Sequence, residues 1–229
     1  MNPKISLVIP TFEANGRAVE FLTKLFDSIK DQTFKDYEIL VPDHSQDDVI
    51  KDFCESYEMD IDHFFNERGR GNSSINMNEG IKKSKGKYIK VLHMDDFLNN
   101  KEALQLLWDG MESNPEKKWV ALTFDHLYEN ENNTTRHKIT PQDGITFGCP
   151  SITGFVNGEE IYFDENIFFL NDKDLNDKLE MKYGLPYVVN ELCVTIRIYS
   201  GQVSKTHSHI ESKEREYLSN KDYSKWKTN

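Results

Sequence analysis

The chain carries its clearest chemistry where Tyr88 to Leu92, a β-rich apolar run, ends in His93-Met-Asp-Asp96. Two adjacent carboxylates, Asp95 and Asp96, cannot leave a buried strand uncompensated without a large desolvation cost. In an open α/β sheet ligands gather at the carboxyl ends of the strands, so a divalent cation carrying a phosphorylated ligand is a natural partner for the pair. The simpler alternative is a polar turn, with Asp96 capping a helix that starts near Asn99 or Asn100. Two further acidic clusters flank this one in sequence: Asp43 with Asp47 and Asp48, and Asp172 with Asp174. An acid after the second strand can accept hydrogen bonds from a base or ribose. The pair after the fourth can hold Mg²⁺ or Mn²⁺ on a diphosphate, and a distant third carboxylate can act as a general base. Together these are the parts of a nucleotide-dependent transferase. Sugar transfer to a hydroxyl needs the leaving diphosphate neutralised and the attacking oxygen deprotonated, which is work for a metal and a carboxylate.

Those groups need a scaffold, and the apolar spacing supplies one. Ile5 to Pro10 reads as a strand ended by proline, and Val19, Leu22, Leu25, Phe26 and Ile29 form one helical face. Tyr37 to Val41 is a second strand, followed by a helix over 48–57 capped by Ser45 or Asp47. A strand at Ile61 to Phe65, a helix over 73–84 and the strand Tyr88 to Leu92 complete a βαβ series. Such alternation implies parallel pairing, right-handed crossovers and a three-layer α/β sandwich. Leu104, Leu107, Trp108 and Met111 mark another helix, and Trp119 to Phe124 a fifth strand. The stretch 125–142 is polar, with a loop or hairpin tip over 130–135. A helix carrying Leu175, Leu179 and Met181 stops at Gly184, and Tyr187 to Val189 and Leu192 to Ile198 are late strands. After His207 the chain is charged and reads as a helical or frayed tail.

At 229 residues, 37% hydrophobic and 12% aromatic, the chain can bury a substantial single core. With 28 basic against 39 acidic side chains its formal charge is -11, which argues against general nucleic-acid binding. No apolar run approaches the roughly 20 residues of a membrane span. The first residues lack a secretory pattern, so Cys54, Cys149 and Cys193 are expected to be reduced thiols in a cytoplasmic protein, and their spacing suits neither zinc nor a disulfide framework. The sequons at Asn72 and Asn133 carry no weight without secretion.

In their order and spacing the motifs resemble the inverting family 2 glycosyltransferases of the GT-A fold. Leu7-Val-Ile-Pro-Thr11, Leu25, Ser28, Ile29, Gln32-Thr33, Tyr37 to Val41 and Asp43 look like that family's first βαβ unit. Asn78-Glu-Gly-Ile81 with Gly86-Lys-Tyr-Ile89 resembles its asparagine-glycine helix and the strand entering the metal site. His93-Met-Asp-Asp96 stands where the family has its Asp-x-Asp motif, and Phe163-Asp-Glu165 with Asn171 to Leu175 where it has its acceptor-side acidic segment. The likeness runs over residues 4–204, through Ile196-Arg197 and Gly201 to Ser204.

The resemblance implies a Rossmann-like nucleotide-binding half over 1–98 and an acceptor-side half over 99–208, sharing a mixed central sheet in one GT-A domain, with 209–229 as a separate charged tail. It implies that Pro10, Thr11, Glu13 and Asp43 line the nucleotide pocket, with Asn78, His93, Met94 and Asp95 also facing the nucleotide sugar. Arg68 would meet the nucleotide or its phosphates, or is simply an exposed loop arginine. Asp95 would be the main ligand of Mn²⁺ or Mg²⁺, supported by Asp96 and joined by His207, or by His209. Asp172 would take the proton of the acceptor hydroxyl, giving one in-line displacement with inversion. UDP-sugar is the expected donor and a saccharide or other hydroxyl the acceptor. The Gln-x-x-Arg-Trp segment of processive polymer synthases is absent, favouring transfer of single sugars. Two positions depart from the family: His93 replaces the first motif aspartate, and Asn171 the glutamate before the base. His93 keeps a hydrogen bond to ribose, or is a buried structural histidine. Asn171 reduces the like-charge effect on Asp172. The competing readings are a nucleotidyltransferase, whose glycine-rich basic loop is missing after the first strand, and a non-catalytic module that binds nucleotide sugars without turnover.

Overall fold

The computed structural model describes residues 2–129, 138–141, 149–202 and 208–227. Its centre is an eight-stranded mixed sheet ordered β3-β2-β1-β4-β7-β6-β8-β5. The parallel half is built from β1 (Ile5–Val8), β2 (Tyr37–Asp43), β3 (Asp62–Phe65) and β4 (Tyr88–Val91). Ile5 is in register with Tyr37 on one side and Tyr88 on the other, so every residue of β1 is buried between neighbours and under helices. The crossovers are α1 (Ala18–Lys30), α2 (Val49–Ser56) and α3 (Ser73–Lys83). Leu22, Leu25, Phe26 and Ile29 form the buried stripe of α1 as the spacing indicates, completed by Ala18 and Phe21, while Val19, expected on it, is only half-buried. Gly80 lets α3 lie directly on the sheet: a Cβ there would stand 2.4 Å from Val8 Cγ1.

The second half reverses direction. After the two-residue β5 (Phe97–Leu98) and α4 (Ala103–Ser113), β6 (Trp119–Tyr128) pairs antiparallel with β7 (Thr153–Val156), which itself runs antiparallel to β4 with Lys90 opposite Gly154. The expected mixed sheet is therefore present, with its parallel part confined to the βαβ series and the β6–β8 pair. Several expected boundaries move. The polar run after Phe124 continues β6 to Tyr128, because Asp125 is buried and accepts a hydrogen bond from Thr195 Oγ1 at 2.7 Å. The two late strands are one, β8 (Tyr187–Ile198), with register shifts against β6 around Thr123. Asp96 does not cap a helix, since α4 begins at Ala103. The loop or hairpin tip over 130–135 lies outside the described residues.

Helix α5 (Asn171–Tyr183) packs across the second half. The charged segment after His207, expected to be a helical or frayed tail, is helical at α6 (Glu211–Ser219) and in a 3-10 turn at Ser224–Trp226, with Leu218, Tyr223 and Trp226 buried. No helix among the described residues is long and apolar enough to cross a membrane.

Candidate active site

The parallel register fixes one functional edge. Because β1, β2, β3 and β4 run the same way, Thr11, Asp43, the turn after Phe65 and His93 to Asp96 all emerge at the carboxyl end of the sheet. Helix α5 runs the opposite way. Its Asn176 meets Thr153 at the β7 end beside the exit of β4, at 3.5 Å, while its last residue leads to Gly184, whose carbonyl accepts from Trp119 at the far end of the sheet. Asp172 lies one turn before Asn176, and Asn171 donates to Ser73 and Ser74 at the start of α3. The amino end of α5, which carries Asp172, therefore meets the same sheet edge at which Asp95 emerges.

Burial and mutual repulsion dominate the acidic pair. Asp96 is buried, and its carboxyl is pushed up to about 6, first by burial and then by the Asp95 charge. It accepts from Arg197 N at 3.0 Å and from the Cys149 thiol at 3.4 Å. Asp95 keeps part of its surface exposed; burial raises its carboxyl too, against a hydrogen bond from Tyr199. Arg197 Nε donates to the Asp95 carbonyl at 3.1 Å, and its Nη1 reaches Glu129 at 2.8 Å. Arg17 makes a bidentate pair with the same Glu129, with both bonds 2.7 Å. His93 lies beside Cys149, with Nδ1 3.5 Å from Sγ, and burial holds its imidazole below its usual range. Beneath it Lys90 is fully buried and pushed down to about 7 by desolvation, its amine donating to the carbonyls of Ser151 and Thr153.

Asp172 is the second residue of α5, half-buried, with Lys173 N donating to Oδ1 at 2.7 Å. Burial is the largest influence on it and raises its carboxyl to about 6. A carboxylate so poised can take a proton near neutral pH. Its neighbour Asp174 is not part of that chemistry. It is buried against Lys178 at 2.6 Å, Tyr223 at 2.9 Å and Lys221, and so ties α5 to the C-terminal segment. Glu214 of α6 accepts the backbone N–H groups of Phe168, Phe169 and Leu170 at 2.8, 2.9 and 2.8 Å, holding the turn that delivers Asp172.

On the nucleotide side, Thr11 and Asp43 are bridged as neighbours across the ends of β1 and β2, and Glu13 accepts from Gln46 N at 2.8 Å. Pro10 is buried behind them. Asp43 is fully buried. Desolvation alone would raise it, but Ser45 N at 2.8 Å, Ser45 Oγ at 2.6 Å and His63 at 2.9 Å hold its carboxyl below the usual range. Both of its oxygens are engaged within the protein. Arg68 is exposed and forks onto Glu165, with Glu79 at 3.3 Å. Asn78 is buried and exchanges hydrogen bonds with the backbone of Phe163 at 2.9 and 3.0 Å. Met94 is buried. Asp47 accepts from Val49 N at 3.2 Å just before α2, whose N-cap is Asp48 and not Ser45 or Asp47. His207 lies outside the described residues. A surface cavity of about 210 Å³ lined by Ile81, Ser84, Ile89 and Phe155 holds none of the expected site residues. The site is an open edge and not that cavity.

Cys149, Lys90, Tyr199 and Glu214 were given no role by the sequence. Their contacts are tertiary and span 44–56 residues for Glu214 and Cys149, so only the oddity of a lysine inside a buried strand could have drawn notice.

Among known proteins, the sequence profile of Glycosyl transferase family 2 matches residues 6–179, most of the chain. A GalNAc(5)-diNAcBac-PP-undecaprenol beta-1,3-glucosyltransferase of Campylobacter jejuni is 34% identical over 99 residues, 42% of this chain and 31% of that protein. A poly(ribitol-phosphate) beta-N-acetylglucosaminyltransferase of Staphylococcus aureus is 35% identical over 119 residues, covering 48% of this chain and 34% of its own length. An uncharacterized glycosyltransferase of Rickettsia typhi is 26% identical over 225 residues, 90% of this chain and 67% of that one. The chain thus spans between about a third and two thirds of these relatives. In fold it is similar to S. aureus TarS in complex with UDP, with a TM-score of 0.70 at 16% identity over 97% of this chain and 68% of that one. The TarS complex with UDP-GlcNAc gives 0.71 at 16% identity over 89% and 61%. With the expected GT-A architecture present and the profile running from β1 into α5, the chain belongs to glycosyl transferase family 2.

Proposed function

We propose that the chain transfers one sugar at a time from a nucleotide-diphosphate sugar, UDP-sugar first, to an acceptor hydroxyl, with inversion at the sugar carbon. The observation that supports this is that the start of α5, with Asp172 raised to about 6, packs at the end of the sheet from which Asp95 emerges. Asp172 accepts the hydroxyl proton as the oxygen attacks, and its burial keeps the base strong enough to do so near neutral pH. Thr11, Glu13 and Asp43 border the nucleotide, and Asp43 also fixes the loop that follows it through Ser45. Arg68 can leave its exposed pairing with Glu165 for a phosphate at little cost. Asn171 spends its amide on Ser73, Ser74 and the Phe168 carbonyl, holding the helix start while leaving Asp172 the acid of the pair.

A hard divalent ion, Mn²⁺ or Mg²⁺, fits the partly exposed carboxyl of Asp95, whose charged form burial disfavours and a cation would favour. When bound it would neutralise the departing diphosphate. UDP is supported by the nucleotide in the TarS complexes, and a saccharide or polyol hydroxyl by the substrates named for the Campylobacter and Staphylococcus relatives. The free thiols Cys54, Cys149 and Cys193 support a cytoplasmic setting. The test is a panel of UDP- and GDP-sugars with Mn²⁺, read by nucleotide release and by thermal shift. UDP at about 100 times its dissociation constant should add about 2.7 kcal/mol of stability. Binding without release across the panel, with saccharide acceptors present, would replace the transferase with a nucleotide-sugar-binding module.

A further inference from the structure

We propose that His93, Asp96 and Cys149 form a second, separate site for a thiophilic divalent cation, Zn²⁺ first. The three offer one nitrogen, one oxygen and one sulfur within 4.8 Å of one another. Asp95, which lies between two of them in sequence, is not a member and turns instead to Tyr199. Tetrahedral zinc with bonds of about 2.3 Å to sulfur and about 2.0 Å to nitrogen or oxygen sets its ligand atoms about 3.5 Å apart. Cys149 Sγ stands 3.5 Å from His93 Nδ1 and 3.4 Å from Asp96 Oδ2, so two edges of that tetrahedron are already in place. His93 Nε2 is buried with no hydrogen-bond partner among the described residues, and the other ring nitrogen, Nδ1, faces Cys149 Sγ.

The surroundings orient each donor as the outer shell of a metal site does. Arg197 N holds the other oxygen of Asp96 at 3.0 Å, and Ser151 N points at Cys149 Sγ at 3.5 Å. Ser151 Oγ accepts from His93 N at 2.9 Å, and Lys90 binds the carbonyls of Ser151 and Thr153, so the segment carrying Cys149 is fastened to β4 before any ion arrives. Sulfur with imidazole selects Zn²⁺ over Mg²⁺ or Mn²⁺. Cys149 releases its thiol proton to solvent on binding. His93 and Cys149 each keep some exposed surface while Asp96 is buried, which leaves the fourth position on the cleft side for water or a ligand oxygen. An ion here would pin the floor of the cleft. It would also account for His93 at the first position of the motif, where an aspartate would offer a poorer partner to the thiolate.

The test uses the full chain freed of metal by a chelator and titrated with Co²⁺, then Zn²⁺. One equivalent of Co²⁺ should give the strong visible bands of a tetrahedral site and a near-ultraviolet thiolate-to-cobalt charge-transfer band, and one equivalent of Zn²⁺ should bleach both. Cys149→Ser should remove the charge-transfer band and weaken Zn²⁺ by more than the 10- to 100-fold typical of losing an outer-shell partner. His93→Gln should weaken Zn²⁺ comparably, which keeps the test open if one variant folds poorly, and Asp95→Ala should leave the band unchanged. Absence of the band in the wild type, or a band that survives in Cys149→Ser, overturns the proposal. UDP binding with Mn²⁺, measured by thermal shift on the same samples, reports on the transferase reading independently.

Discussion

Replacing Asp172 by asparagine should abolish sugar transfer and make the protein more stable. Folding raises this carboxyl from 3.8 to about 6, chiefly through burial, a change of about 2 pKa units. At about 1.36 kcal/mol per unit, the ionised side chain costs the native state up to about 3 kcal/mol. The side chain is partly exposed, and solvent screening lowers the expected figure to about 1–2 kcal/mol, or about 2–8 °C in Tm for a chain of this size. The amide oxygen of asparagine can still accept from Lys173 N, so the bond that orients the side chain survives. The pH dependence follows from the direction of the shift. Between about pH 4 and 6 the native state holds a proton that the unfolded chain has already released. The stability this proton contributes is present below the window, is lost as pH rises through it, and stays lost above it. Asparagine does not titrate, so the melting temperature of D172N minus that of wild type should grow from about pH 4 to 6 and then stay constant. The assay is paired thermal melts across that range, with UDP affinity measured at pH 7. A variant that melts at or below wild type throughout, or an offset that ignores pH, would refute the assignment of a partly desolvated base.

The same carboxyl should govern the rate: kcat/KM should rise about tenfold per pH unit below about 6 and level off above it, as checked by steady-state kinetics over a buffer series. Glu214→Ala leaves the N–H groups of Phe168, Phe169 and Leu170 without their acceptor, so it should cost about 3 kcal/mol and lower kcat while UDP affinity holds. Glu214→Gln should fall between the two, and an unchanged kcat in the alanine variant would separate α6 from the site. Asp95→Ala should weaken Mn²⁺-dependent UDP binding by at least about tenfold in calorimetry, with little effect on binding measured in EDTA.

The elements whose signal is local were legible in the sequence. The stripe of α1, the continuous burial of β1 and β4 and the acidic exit of β4 all follow from period and composition. β7 left almost no trace, because Thr153-Gly-Phe-Val156 is too short and too mixed to stand out, although it reverses the sheet and brings Ser151 and Cys149 to the motif. The burial within the C-terminal segment was hidden for a different reason. Its apolar residues are sparse, so charge dominates the pattern, yet Leu218, Tyr223 and Trp226 are buried and Glu214 is held by backbone donors that no sequence pattern reveals. Asp172 and Asp174 look equivalent on paper; the tertiary partners Lys221 and Tyr223, added to Lys178 one turn along the same helix, mark Asp174 as a structural ion pair.

The most direct measurement is a crystal structure of D172N with an intact UDP-sugar and Mn²⁺. The expected result puts the ion and diphosphate on Asp95, the uridine over Thr11 and Glu13, and residue 172 across the sugar carbon from the diphosphate. A donor bound elsewhere on the sheet, or residue 172 on the same side as the leaving group, would contradict the account.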